Sequence, residues 1–469
     1  MSITTSNVTS GFIDLATFDE AEKYLYGGPD ATAYFVRETR KSTWFTQVPV
    51  VLSRAAGSAA FGQDWSVSIS RAGDYLLATW LRVAFPAVDL LTLSGTTFGT
   101  NSRIRWTRNI MHNLVKECSI TFNDLVAARF DSYFLDFWAA FTTPAGKRNG
   151  YLNMIGDVSD LTDPNTSLPA ATLNLPLPLF YSRDSGVALP TAALPYNDMR
   201  INFTFREWNE LLILDDGETD AEINAALAIP SASQAPVVGT DITAAPSLGT
   251  VQVWANYAIV SNDERKRMGC APRDILIEQV QTAPRQTYNP SQNTQPQYDI
   301  RFSHSVKVLF FAVRNKTVSN DWSNYTTSTN VPVVNASTAT LVNNGSDPIV
   351  STTLTYENTQ RLASMGSDYY SLINPWYHAP VIPVETGFHM YSYSLDFICL
   401  DPKGSTNYGK LTNVSIIPEA SSAAITGSSG AAVTSYDSWA LFYQSGIARA
   451  QTYEFLTVCV NNNIIRISA

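Results

Sequence analysis

Four histidines, His112, His304, His378 and His389, are the chain's whole stock of imidazole, and none has a partner at the spacing chemistry requires. A helical zinc site needs two histidines four residues apart, and a serine hydrolase needs its nucleophile on a strand-to-helix elbow. Neither HExxH nor GxSxG occurs, and there is no GxGxxG or P-loop to cradle a phosphate. The stretch from Ser182 to Gly186, SRDSG, sets a serine beside an aspartate, a pattern that turn chemistry explains by itself. Cys118, Cys270, Cys399 and Cys459 lie far apart with no CxxC pair, so they signal neither zinc nor a disulfide framework and read as free thiols in a reducing compartment. Paired carboxylates are the harder case, because a glycosidase sets two of them on a sandwich at a separation that spacing does not reveal. No catalytic, cofactor-binding or metal-ligating residue is nominated. The expectation is a protein that is not an enzyme and carries no cofactor.

The elements that would have to position such residues are strands. The chain has 469 residues, too many for one ordinary core, with 45% hydrophobic, 12% aromatic and 15% charged residues, so at least two large cores are expected. A net charge of −10 opposes binding to phosphate backbones, and no direct nucleic-acid contact is expected. The N-terminal MSITTSNVTSGFIDLATFDE lacks a signal-peptide plan, and Ser2 stands where myristoylation needs glycine. No apolar run approaches the ~20 residues of a transmembrane segment. These features predict a protein made in, and kept in, the cytoplasm.

Residues 1–30 read as an N-terminal arm. Thr17 and Glu20 make a capping box for a short helix from Phe18 to Tyr26, whose Phe18, Ala21 and Leu25 need something to pack on, either their own domain, a neighbouring subunit or an inner layer. From 31 to 264 the apolar period is two: Trp65, Val67 and Ile69; Tyr75 to Phe85; Ile201, Phe203 and Phe205; Val251 to Ile259. One helix interrupts this pattern, capped by Asp131, with Phe134, Phe137, Trp138 and Phe141 on one stripe that reads as core packing. Leu214 to Leu248 is a long functional or mobile loop. Ser261 and Glu264 cap a second short helix that ends at Gly269, and residues 265–274 form a linker whose Glu264-Arg265-Lys266-Arg267 cluster suits a solvated face or an interdomain salt bridge.

A second unit, 275–469, opens with ILIEQVQ and closes with Tyr453 to Ile467. Within it, Gly387 to Ile416 reads as a strand pair, with Tyr391, Tyr393, Leu395 and Phe397 facing inward and Leu411 to Ile416 returning. His304 to Val313 echoes His112 to Phe122, and NPWYHAPVIPVETG echoes PLPLFYSRDSGVALPTAALPY, which suggests a tandem pair of similar sandwiches. Asn315 to Asp347 is rich in Ser, Thr and Asn with almost no charge, and is expected on the surface. It carries sequons at Asn315, Asn324, Asn335 and Asn344, which in a chain without a signal peptide read as chance. The fold class is all-β: two consecutive antiparallel sandwiches with a few short helices.

Several long blocks carry a resemblance. FIDLATFDEAEKYLYGG, AYFVRETRKSTWFTQVPV, FNDLVAARFD, FYSRDSGVALPTAALPYNDMRINFTF, ANYAIVSNDERKRMG, FSHSVKVLFFAVRNKT, GSDYYSLINPWYHAP and YSYSLDF with DPKGSTNYGKLTNV occur in this order along nearly the whole chain. The sequence resembles the major capsid proteins of nucleocytoplasmic large DNA viruses, in their iridovirus branch. That resemblance implies two eight-stranded jelly rolls per subunit, homotrimers forming pseudo-hexagonal capsomers, an icosahedral shell tiled from them, and minor capsid proteins beneath. The rival reading is a soluble carbohydrate-binding or glycan-cleaving sandwich with Tyr and Trp as sugar platforms. Native size separates them, three chain masses against a monomer with sugar affinity.

Overall fold

The computed structural model describes residues 3–91, 103–215, 235–270, 272–328, 333–334, 339–340, 345–429 and 450–467. Two compact units result, Met1–Trp44 and Phe45–Ala469. In the first, a short helix falls within the expected Phe18–Tyr26, but with a different cap and after a longer helix that the sequence reading did not single out. An α-helix spans Ile3–Ala16, and a 3-10 helix follows at Glu20–Tyr24 with Asp19 as its cap, accepting from the Ala21 amide at 3.3 Å. Thr17 is no cap, because its hydroxyl donates to the Ile13 carbonyl at the end of the preceding helix. Phe18 and Leu25 are exposed.

The second unit begins with a sandwich of nine strands: β1 (Phe45–Val51), β2 (Ser53–Gly57), β3 (Asp64–Ser68), β4 (Tyr75–Phe85), β5 (Val115–Phe122), β6 (Leu125–Asp131), β7 (Ala171–Pro176), β8 (Met199–Phe205) and β9 (Val251–Val260). One sheet has the order β1-β9-β4-β7 and the other β2-β3-β8-β5-β6, all antiparallel. The expected alternation produces this: Trp65, Val67, Ile201, Phe203 and Phe205 point inward from the second sheet, and Leu81, Val83, Val253 and Ala255 from the first.

The remainder builds the same sandwich again. Its strands are β10 (Arg273–Thr282), β11 (Tyr298–Asp299), β12 (Ser305–Asn315), β13 (Ile349–Tyr356), β14 (Thr359–Gly366), β15 (His389–Ser392), β16 (Val414–Ala420) and β17 (Tyr453–Ile467). The orders are β10-β17-β12-β15 and β11-β16-β13-β14, with short strands added at the margins of the first. Apart from the extra edge strand β2, each position matches: β1 with β10, β4 with β12, β6 with β14, β7 with β15, β9 with β17. Both sandwiches are jelly rolls, in which most consecutive strands alternate between two facing sheets, while β2–β3, β5–β6 and β13–β14 stay paired within one sheet.

This correspondence corrects the sequence echoes. His304 to Val313 belongs to β12, whose counterpart is β4, whereas His112 to Phe122 leads into β5. The two Pro-rich segments also occupy different connections, one between β7 and β8 and the other between β14 and β15. The tandem is real, but the residues that suggested it are not equivalent.

Gly387 to Ile416 is not a strand pair either. β15 stops at Ser392 and pairs with β12, while β16 lies in the other sheet beside β13. The small polar residues end the strand: Ser392 donates to the Ser394 carbonyl at 2.6 Å, Ser394 donates to the Asp396 carbonyl, and the Asp396 carboxylate accepts from the Ile398 amide. Leu395 is consequently 71% exposed, whereas Phe397 is buried.

The helix α1 (Ser132–Thr142) forms as expected, with the Asp131 carboxylate accepting from the Phe134 amide at 2.9 Å. Two further helices that periodicity did not single out, α2 (Ala145–Ile155) and a short turn at Ser159–Thr162, follow it. The helix α3 (Asn262–Cys270) joins the jelly rolls, and its Arg265 forms a two-armed ion pair with Asp74 at the start of β4, at 2.8 and 2.9 Å.

Candidate functional site

Two histidines lie in polar clusters, and both clusters are structural. His389 is buried, stacked on Phe311 at 5.1 Å, with Ser367 and Asp347 close by. A hydrolytic triad needs the carboxylate on one ring nitrogen and the hydroxyl on the other. Here Nε2 meets both the Ser367 hydroxyl and the Asp347 carboxylate, each at 2.7 Å, so no proton can be relayed across the ring. Burial alone would raise the Asp347 carboxyl, but His389, Ser367 and the Ile349 amide together hold it below its ordinary value. His112 contacts Asp136 at 2.8 Å through Nδ1 and Tyr151 at 2.6 Å through Nε2. That carboxylate also accepts from the Ser323 and Tyr325 hydroxyls of the second jelly roll, at 2.9 and 2.8 Å, so its lone pairs are used for joining. Among the described residues no cluster of three or more His, Cys, Asp or Glu side chains that could hold a metal exists. The four cysteines are free thiols, and burial pushes Cys118 and Cys459 well above the ordinary thiol range.

What the sequence does assemble is a seam. The stripe on α1 lies between the two jelly rolls: Phe137 and Phe141 stack on Phe310 of β12 at 5.7 and 5.4 Å, and Trp138 meets Phe397 edge-on at 5.9 Å. The apolar core of the first jelly roll continues without a break into Val308, Phe310, Ala312, Leu456, Val458 and Val460 of the second. The core stripe predicted for this helix is therefore core, but core shared by two sandwiches.

Charges are carried into the same seam and paired there. Glu278 of β10, 2% exposed, accepts from Lys307 at 2.6 Å and lies 3.1 Å from Arg183. Arg183 in turn lies 3.6 Å over the Trp138 ring, and burial lowers its basicity although Glu278 opposes this. Arg206 of the first jelly roll and Arg314 of the second sandwich the indole of Trp322, at 3.8 and 4.2 Å, and Arg314 pairs with Glu454 at 2.8 Å. A buried carboxylate or guanidinium without its partner is strongly disfavoured, so these pairs fix the register of one jelly roll against the other.

The seam overturns one surface expectation. From Asn315 to Thr326 the supposed outer loop is largely buried. Asn320 donates to the Asn209 and Leu212 carbonyls at 2.7 and 3.0 Å, and Trp322 to the Glu210 carbonyl at 2.9 Å, all in the first jelly roll. Uncharged amides and hydroxyls need partners rather than water, and the opposing backbone supplies them. The side chains of two sequon residues, Asn315 and Asn324, are buried and donate to the Ser328 carbonyl at 3.0 and 2.7 Å, which leaves no room for a glycan. Asn335 and Asn344 lie outside the described residues, as does most of the 214–248 loop. Gly387 is required here: its φ is +100°, and a Cβ would collide with the Tyr325 carbonyl.

Known proteins place this architecture. A family model described as major capsid protein N-terminus matches residues 33–260, and one described as large eukaryotic DNA virus major capsid protein matches 264–469. The chain is 64% identical to the major capsid protein of Tipula iridescent virus, over all of this chain and 97% of that one. It is 44% identical to that of Frog virus 3, over 99% and 97%. Among solved structures, the PBCV-1 virus capsid matches with a TM-score of 0.68 at 19% identity, covering 93% of this chain and 98% of that one. Faustovirus major capsid protein matches at 0.68 and 12%, covering 94% and 93%. A fused pair of jelly rolls in a sequence this close to viral shell subunits has a structural role and not an enzymatic one: the chain belongs to the iridovirus major capsid proteins, within the wider family of large eukaryotic DNA virus major capsid proteins.

Proposed function

We propose that three copies close into a pseudo-hexagonal capsomer and that such capsomers tile an icosahedral shell, assembled in the host cytoplasm over minor capsid proteins. The domain organisation that serves this is an arm, a first jelly roll within 31–264, a linker at 265–274 and a second jelly roll from 275 onward. One observation carries the reading: two jelly rolls whose strand orders match apart from β2 are fixed side by side by an apolar core that runs from the first into the second, which also has a core of its own. A subunit built this way has two near-equivalent wedges at a set angle, and three such subunits present six. Acidic charge and the absence, among the described residues, of any helix long and apolar enough to cross a membrane agree with a shell that touches neither DNA nor lipid directly. Sedimentation of the purified full-length chain tests it. A species of three chain masses, six-lobed in electron micrographs, is expected, and a strictly monomeric protein at micromolar concentration would overturn the reading.

A further inference from the structure

Within one subunit, the helix that directly follows β6 covers the outward face of the sheet β10-β17-β12-β15, with Phe137 and Phe141 on Phe310. The fold contains both halves of that contact a second time, the helix half exposed and the sheet half partly exposed.

The receiving half is on the first jelly roll. Trp80 is the central residue of the 11-residue β4, as Phe310 is of the 11-residue β12. Trp80 pairs with Trp254 on β9 and Pro176 on β7, where Phe310 pairs with Val458 on β17 and Met390 on β15. Phe310, Val458 and Met390 are fully buried, whereas Trp80 and Trp254 stack on each other at 6.2 Å and remain half-exposed, on the face opposite Leu81 and Val253. The donating half is on the second jelly roll. Residues 367–378 are helical and directly follow β14, the counterpart of β6, and there Leu372, Ile373, Trp376 and Tyr377 are exposed, the last two by 71 and 73%.

We propose that these are the two sides of one intersubunit contact, in which the 367–378 helix of one copy packs on the Trp80–Trp254 face of the next. The proposal rests on the three-copy reading above and adds to it the surfaces and their polarity. The occupant is a second copy because the complementary surface exists on this chain, in the geometry the chain already uses once internally. Such a contact is heterologous, helix to sheet, so it builds a ring where its rotation closes at three copies, and not a two-fold dimer. Three subunits then contain six helix-on-sheet contacts, three within chains and three between them. The chemistry also suits a contact that forms after folding. Two residues along the same face, Arg82 and Gln252 stand where the internal seam has Ala312 and Leu456, so the outer version is more polar at one end and soluble before assembly. Exposed Trp and Tyr at the centre of such a patch are the residues on which association energy concentrates.

The test uses the full chain carrying Trp376→Asp or Trp80→Asp, with Trp376→Ala and Trp80→Ala as milder versions should either aspartate variant fail to fold. Each variant is expected to stay folded, its unfolding midpoint lowered only slightly, while losing the trimer, association weakening on the order of 30-fold or more. Mixing the two variants is expected to restore one contact per pair, giving a 1:1 dimer of the intact helix on the intact sheet and no ring. If the wild type is trimeric and the variants remain so with unchanged affinity, this contact is wrong and the trimer stands. If the wild type is itself monomeric, the three-copy reading fails first. If each variant is monomeric but their mixture shows no dimer, the two surfaces are not partners.

Discussion

Strands β4 and β12 hold the same place in the two jelly rolls, yet they are buried in different ways. Along β12, from Val306 to Asn315, every residue is buried, whereas β4 alternates between buried and half-exposed positions. The sequences record the difference: VKVLFFAV is a nearly continuous apolar run, as expected of a strand covered on both faces, while YLLATWLRVAF is interrupted by Thr79 and Arg82. One fold repeated twice has thus been given two environments. The second jelly roll is covered by the first within the chain, while the corresponding face of the first stays partly exposed, as the proposed contact requires.

Exchanging matched residues tests this directly and has the largest expected effect. Phe310→Ala should destabilise the isolated subunit by about 3–5 kcal/mol, because it empties a fully buried ring site between the jelly rolls. Trp80→Ala, at the equivalent position, should cost less than about 1.5 kcal/mol in denaturant unfolding of the monomer and act mainly on assembly. Equal losses at the two sites would show that both faces are covered inside one chain. Glu278→Ala should approach the size of the Phe310 effect, about 3–5 kcal/mol, since it leaves Lys307 and Arg183 buried without their shared carboxylate. If Glu278→Ala is neutral by chemical denaturation, the charged seam does not set the pairing of the jelly rolls.

The strands were largely legible because alternation is a local signal: β4, β8, β9, β10 and β17 begin and end close to where the apolar period does. The seam was legible only in fragments. Glu278, Lys307 and Arg314 sit inside apolar strands, and a charge in such a place announces a buried partner without saying which part of the chain supplies it. Asn315 to Thr326 was misplaced because composition distinguishes polar from apolar and not solvated from hydrogen-bonded. Leu395 was misplaced because alternation continued in the residue types after the backbone had turned, its serines closing local turns instead of lining a sheet. The correspondence between jelly rolls, which defines the candidate contact, needs strand order and was invisible to any short motif.

Each jelly roll also holds a largely buried carboxylate, Asp74 in the first and Asp347 in the second, whose environment keeps it below its ordinary pKa, which predicts a moderate effect at low pH. Asp74 is opposed by its burial but held down by Arg265 and the Val260 amide, and Asp347 is likewise opposed by burial but held down by His389, Ser367 and the Ile349 amide. A depressed folded value means that each contributes stability above the unfolded value of about 4 and loses it as pH falls through the folded value. Asp74→Asn and Asp347→Asn should therefore each be less stable than wild type at neutral pH and lose less stability below about pH 4. Acid-unfolding curves that parallel wild type would show that these pairs do not couple to folding.

The smallest expected change in folding is at Leu395, where it also carries the most information. Were the stretch after β15 an inward-facing strand, Leu395→Asp would bury a carboxylate and unfold the domain. The structure ends β15 at Ser392 and leaves the Leu395 side chain in solvent, while its backbone is held by the amide donating to the Lys403 carbonyl at 3.2 Å and by its carbonyl 3.0 Å from His378 Nδ1. Neither interaction involves the side chain, so the substitution should change stability by no more than about 0.5 kcal/mol. The His378 contact also puts Leu395 beside the C-terminal turn of the helix that carries Trp376 and Tyr377. Leu395→Asp should thus leave the unfolding midpoint in place and weaken trimer formation, by less than Trp376→Asp because it lies at the margin of the patch. A fall of several kcal/mol in monomer stability would restore the strand reading. An unchanged trimer affinity would confine the contact to the helix itself.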